Sequence, residues 1–151
     1  MNPSTVQSQP TGSTNQWEHF PHVADMGVRG FGATQEEAFA HAALALTAII
    51  CEPEIVRPDI AVTLRCEAPD AELLLYDWLN ALVYEMAVRR MLFSRFEIVI
   101  QDGELKATLW GEATDRLRHS PTVEVKGATF TELKVLRDEQ GCWVAQCVVD
   151  V

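Results

Sequence analysis

A chain of 151 residues with 48% hydrophobic side chains has the length and apolar content for one core-bearing domain, and too little of either for a multidomain enzyme. Its formal net charge of −10, from 22 acidic and 12 basic residues, argues against unaided binding to nucleic acid or to an anionic membrane, because both favour clustered Lys and Arg. No charged-then-apolar leader opens the chain, and no apolar run reaches the roughly 20 residues that span a bilayer, so the expected location is cytoplasmic.

In chain order, Met1 to Gln16 are mostly Ser, Thr, Gln, Asn and Pro and are expected to form a flexible tail (residues 1–16) ahead of one folded domain (residues 17–151). Trp17, Phe20 and Val23 open a short strand that runs into Asp25-Met26-Gly27-Val28-Arg29-Gly30-Phe31-Gly32. Its three glycines indicate backbone freedom or close approach. Thr34 followed by Glu37 is a capping box, so a helix is expected from there to about Cys51, with Phe39, Ala42, Ala43, Leu46, Ile49 and Ile50 at helical spacing. Ile60, Val62, Leu64 and Cys66 alternate as in a half-buried strand. Asp70 starts a second helix, roughly Ala71 to Met91, whose stripe is Leu74, Trp78, Leu82 and Met86.

Asp102-Gly103 between two apolar runs predicts a β-hairpin with a type I′ turn. Polar residues from Thr114 to Thr122 lead to an expected strand at Val123–Lys126, then Thr129–Leu136, a turn at Gly141 and a last strand, Trp143–Val149. The pattern favours an α+β fold, an antiparallel or mixed sheet with two main helices on one face. Cys51, Cys66, Cys142 and Cys147 lack Cys-x-x-Cys spacing and read as buried free thiols in a reducing compartment.

The chain closes on Val149-Asp150-Val151, which sets a side-chain carboxylate beside the terminal α-carboxylate at the end of a strand expected to dock. Hard cations prefer oxygen donors, and two adjacent carboxylates supply several, so a third from elsewhere completes a credible site. Asp25, placed by the pattern just after a strand, can project into a crevice, although a lone Asp is more often a turn former. The glycines after it run Gly-x-x-Gly-x-Gly, the wrong order for a dinucleotide fingerprint. His19 and His22 face opposite sides of a strand, which argues against zinc, and no nucleophile has a recognisable acid and base. Lys126 reads as an exposed strand lysine.

Taken together and in this order, Asp25–Gly32, Val123–Phe130 and Val144–Val151 resemble the archease family over Trp17 to Val151. The resemblance implies an α+β fold with an SHS2-like helical insertion. It also implies an accessory role without catalysis: activating an RtcB-type RNA ligase in tRNA splicing and RNA repair by faster guanylylation and repeated turnover. It places metal ligands on Asp25, Asp150 and the carboxylate of Val151, with Ca²⁺ the expected divalent cation and Mg²⁺ or Mn²⁺ as alternatives, and it makes Lys126 the functional lysine that meets phosphate or partner. No direct nucleic-acid or membrane contact is expected. The long leader and Met26, where Ile or Leu is common, depart from the family pattern without removing a ligand. A metal-binding regulatory or chaperone-like domain for another nucleotidyl-transfer system, and a small metal-dependent hydrolase, stay open beside this reading.

Overall fold

Both helices begin where a polar side chain satisfies their first amides. The computed structural model describes residues 16–151. Thr34 Oγ1 accepts from the Glu37 N–H at 3.1 Å and opens α1, Gln35–Ile50. The return arm of the expected box shifts by one residue, since Glu37 Oε1 accepts from the Ala33 N–H at 2.8 Å and not from Thr34. Asp70 caps α2, Ala71–Arg89, by accepting from the Leu73 N–H at 2.8 Å. Leu74, Trp78 and Leu82 of its stripe are buried and Met86 only partly so. The helix stops before Met91 because Arg90 turns left-handed (φ 54°, ψ 53°) and Met91 already belongs to a strand.

The strands are β1 (Trp17–His22), β2 (Asp25–Gly32), β3 (Ile60–Glu67), β4 (Met91–Gln101), β5 (Glu104–Ala113), β6 (Gly127–Ala128), β7 (Lys134–Arg137) and β8 (Trp143–Asp150). A four-residue helix, α3 (Arg116–His119), interrupts the polar stretch after β5. Asp102 (φ 52°) and Gly103 (φ 78°) make the predicted hairpin turn between β4 and β5. Three expectations change. Val23 sits in the turn after β1, and the glycine-rich stretch is itself a strand. Val123–Lys126 forms no ladder, because Thr122 is tied to the end of α1 (its N–H donates to the Ile50 carbonyl at 2.9 Å) and pairing begins only at Gly127. Within Thr129–Leu136, the ladder is confined to Lys134 onward.

The strands form two antiparallel sheets, where the sequence pattern suggested one. The larger runs β1-β2-β8-β6, with β7 also on β8; the smaller runs β3-β5-β4. The last strand is thus internal to its sheet, between β2 and the pair β6 and β7. Residues Ile60–Ala113 form a β-α-β-β unit between the halves of the larger sheet, the position of the expected helical insertion. α1 packs on β2 and β8 and on β4, while α2 packs on β3, β4 and β5 and reaches β6 and β7. The core lies between the sheets, where the Trp78 indole N–H donates to the Phe39 carbonyl at 3.0 Å and the Trp78 ring meets Phe96 edge-on at 5.9 Å.

The tail expected over residues 1–16 lies outside the described residues except for Gln16, whose carbonyl accepts from the Phe31 N–H at 2.8 Å. Among the described residues no helix is long and apolar enough to cross a membrane. All four cysteines are free, but only Cys51 and Cys147 are buried; Cys66 and Cys142 lie on half-buried stretches at a sheet edge and a turn.

Candidate functional site

Gly30 explains why the Asp25 segment is so rich in glycine. A Cβ there would lie 2.2 Å from the Ala38 carbonyl oxygen and from the Ala42 nitrogen, so β2 can rest on the backbone of α1 only without a side chain. On the opposite face of β2, a Cβ at Gly27 would lie 2.3 Å from the Phe20 ring, which crosses from β1 and supports the Arg29 guanidinium at 4.5 Å. Arg29 Nε donates to Gln146 Oε1 at 2.7 Å, and Arg29 also pairs with Glu18. The glycines therefore serve packing, and Asp25 is the first residue of a strand, not a loop residue following one.

The ladder of β2 with β8 runs from Gly32 opposite Trp143 to Met26 opposite Val149. Asp25 and Asp150 are the next residue of each strand beyond that last pair. Gly127 of β6 is the registered partner of Asp150 on its other side, and the Lys126 N–H donates to the Asp150 carbonyl at 2.7 Å. Asp25, Asp150, Val151 and Lys126, scattered over the sequence, thus meet at one end of one sheet. Met26 and Val149 are opposed and share a face, so by strand alternation the residues that follow the pair, Asp25 and Asp150, fall together on the other side. That side lies opposite the helix-facing row of Val28, Cys147 and Val149. Asp150 and Lys126 are exposed, and Asp25 and Val151 half-buried. No ion pair among the described residues involves Asp25, Asp150 or Lys126.

Two residues of this neighbourhood were not foreseen. His22 is the registered partner of Asp25, which places it on β1 beside that end of the sheet; the histidine is visible in the sequence, but its hairpin register is not. Asn80 of α2 accepts from the Ala128 N–H at 2.9 Å through Oδ1 and so holds β6 against the helix. An amide two residues from the Trp78 stripe was its only signal. His19, by contrast, faces α1 and bonds the Ala45 carbonyl through Nε2 at 2.7 Å, which takes it away from the site.

The donor set is carboxylate oxygen, suited to a hard cation and poorly suited to soft metals. Among the described residues no cluster of three or more His, Cys, Asp and Glu side chains has the geometry to hold a metal. A site at this end therefore rests on two side-chain carboxylates and needs a third oxygen donor from the main chain at Val151 or from a partner. Cys147 is no candidate, because burial pushes its thiol up to about 12.

A second polar cluster stands apart. Glu112 Oε2 receives the Arg57 N–H at 2.8 Å, Arg118 at 2.5 Å and His119 Nε2 at 2.9 Å. The His119 Nδ1 accepts from the Asp115 N–H at 2.8 Å, so the ring proton is on Nε2. The Arg118 hydrogen bond, ahead of the Arg57 and His119 contacts, holds the Glu112 carboxyl down at about 2. All polar partners are internal, and the cluster ties α3 to β5.

Residues 17–151 match the family model described as Archease protein family (MTH1598/TM1083). The chain is 38% identical over 140 residues to the Protein archease of Pyrococcus furiosus, covering 90% of this chain and 99% of that one. It is 34% identical over 141 residues to the Protein archease of Methanosarcina barkeri, covering 90% and 96%. Its fold is similar to the solution structure of protein 1598 of Methanobacterium thermoautotrophicum (TM-score 0.79, 31% identity, 90% and 99% covered). It is also similar to the crystal structure of an archease, possible chaperone, from Thermotoga maritima (TM-score 0.56, 23% identity, 87% and 94% covered).

Proposed function

We propose that this chain, which belongs to the archease family, is a metal-binding accessory protein that carries out no chemistry of its own and activates an RtcB-type RNA ligase in tRNA splicing and RNA repair. The observation that supports this reading is the strand register that gathers Asp25, Asp150, Val151 and Lys126 at one end of the larger sheet. In this reading Asp25, Asp150 and the carboxylate of Val151 hold a divalent cation, Ca²⁺ in the first place and Mg²⁺ or Mn²⁺ as alternatives.

Ca²⁺ takes six to eight oxygens, more than these three groups supply as single donors, so positions stay open for a phosphate or carboxylate of the partner. When bound, the cation supplies charge to offset phosphate negative charge near the ligase's nucleotide site. Lys126, exposed beside Asp150, acts as a point charge toward the same phosphate. Without the cation the two carboxylates leave negative charge at this end of the sheet, which disfavours approach of another anion. Promotion of ligase guanylylation and multiple turnover follows from charge delivery, and no residue of this chain forms a covalent intermediate.

The test is guanylylation of a cognate RtcB-type ligase with GTP and metal, with and without this protein. Its arms are the native chain, a chain extended past Val151, and Asp25→Ala. Strong stimulation by the native chain, lost in both folded variants, is the expected result. Stimulation by the extended chain equal to native keeps the function and removes Val151 from the ligand set. No stimulation by the native chain overturns the ligase reading in favour of a regulatory domain for another nucleotidyl-transfer system.

A further inference from the structure

Lys126 lies at the end of a groove that the acidic row does not use. The groove has a volume of about 900 Å³ and runs between the C-terminal half of α2 and the ladder-free stretch Pro121–Lys126. Its surface is chiefly aliphatic, with Val83 and Met86 on the helix side and Val123, 43% exposed, on the other. Arg90, Arg116 and Lys126 line it, and none of the three forms an ion pair among the described residues. One acid, Glu124, lines it with them. On a chain of net charge −10 with 12 basic residues in all, three cations against one acid around one apolar trough make a local reversal of charge.

Arg90 adds an independent point. It occupies the left-handed position that ends α2 (φ 54°, ψ 53°), where glycine is favoured by about 1 kcal/mol. Its guanidinium makes no side-chain hydrogen bond in exchange among the described residues. The backbone there is fixed by the Thr114 N–H, which donates to the Arg90 carbonyl at 2.9 Å. What the arginine contributes is its charge in the groove.

We propose that this groove docks an acidic polypeptide segment carrying one or two large apolar side chains, and that the segment belongs to the protein that the acidic end activates. The inference rests on the reading of the chain as a ligase activator. An aliphatic trough with a cationic rim matches apolar anchors flanked by carboxylates. It does not match single-stranded nucleic acid, which stacks its bases on aromatic side chains, since no aromatic residue lines the groove. Met86, unbranched and half-buried, suits a surface that adapts to an incoming side chain. Because the Lys126 N–H holds the Asp150 carbonyl, a segment lying in the groove ends next to the carboxylate row.

The test titrates the full chain against a cognate RtcB-type ligase and reads both binding and guanylylation, comparing native protein with the double variant Arg90→Gly, Arg116→Gln. Arg90→Gly removes a charge while relieving the backbone, so the variant keeps its fold, and a thermal melt checks this. The expected result is a half-saturating concentration raised at least tenfold with the same maximal stimulation, and a native affinity that weakens with salt. Equal half-saturation of native and variant overturns the groove and leaves the activator role standing. Binding of RNA alone by the native chain, lost in the variant, overturns it in favour of a nucleic-acid site. Absence of any stimulation by native protein overturns the activator reading itself, and the partner assignment falls with it.

Discussion

Asp25 and Asp150 are the next residue of each strand beyond the Met26–Val149 pair that closes the β2–β8 ladder. The two residues are 125 positions apart in the chain, and strand alternation beyond the last registered pair puts them on one face of one sheet. Like charges directly opposed on neighbouring strands destabilise by about 0.2–1 kcal/mol.

Asp25→Asn is therefore expected to raise the melting temperature slightly in chelator, by about 1–2 °C for a domain of this size. In Ca²⁺ the order is expected to reverse, because only the native chain gains stability from binding the ion. Melts in chelator and in Ca²⁺ check both signs. An equal Ca²⁺-dependent gain in the variant would remove Asp25 from the ligand set.

Gly30→Ala is expected to destabilise the fold by about 3 kcal/mol, the upper end of overpacking effects. The clash is at 2.2 Å with main-chain atoms of α1, which cannot turn aside as a flexible side chain would. Gly27→Ala meets only the Phe20 ring and is expected to be milder. Denaturant titration of the two variants side by side distinguishes main-chain from side-chain obstruction.

Glu112→Gln is expected to lower stability at neutral pH by about 2 kcal/mol through loss of the charged contact to Arg118 and a weakened Arg57 and His119 set. The sign follows from a folded-state carboxyl held at about 2 against an ordinary 4.5. Its stabilisation is complete above pH 4.5 and disappears as pH falls toward 2. The difference between native and variant, followed by urea unfolding across that range, is expected to shrink with acidification. A difference independent of pH would assign the effect to packing.

Cys66 and Cys147 are expected to resist alkylation of the native protein at pH 8. Burial pushes their thiols up to about 11 and about 12, so the reactive thiolate is scarce. Burial, followed by the nearby Glu52 and Glu112 charges, raises Cys51 as well. Mass spectrometry after iodoacetamide treatment, before and after unfolding, reads the order. Rapid native labelling of Cys147 would contradict its burial.

Local signals in the sequence determined the elements whose causes are local. Thr34 and Asp70 satisfy the first amides of their own helices, Asp102-Gly103 tolerates its own positive φ, and the 3.6 and two-residue periods mark the faces that α1, α2 and β3 bury. Asp25, Asp150, Val151 and Lys126 were likewise legible as candidate residues, from the carboxylates at the chain end and the family resemblance. The tertiary structure alone decided how the strands divide into two sheets, that β8 lies inside one of them, and that Val123–Lys126 runs beside α1 and α2 without a ladder. It also decided the company those residues keep: His22 opposite Asp25, Asn80 behind β6, and Arg90 and Arg116 around a groove ending at Lys126. Pairing and register depend on hydrogen bonds between segments far apart in the chain, and a local pattern specifies which face of a strand is apolar but not which strand will lie beside it.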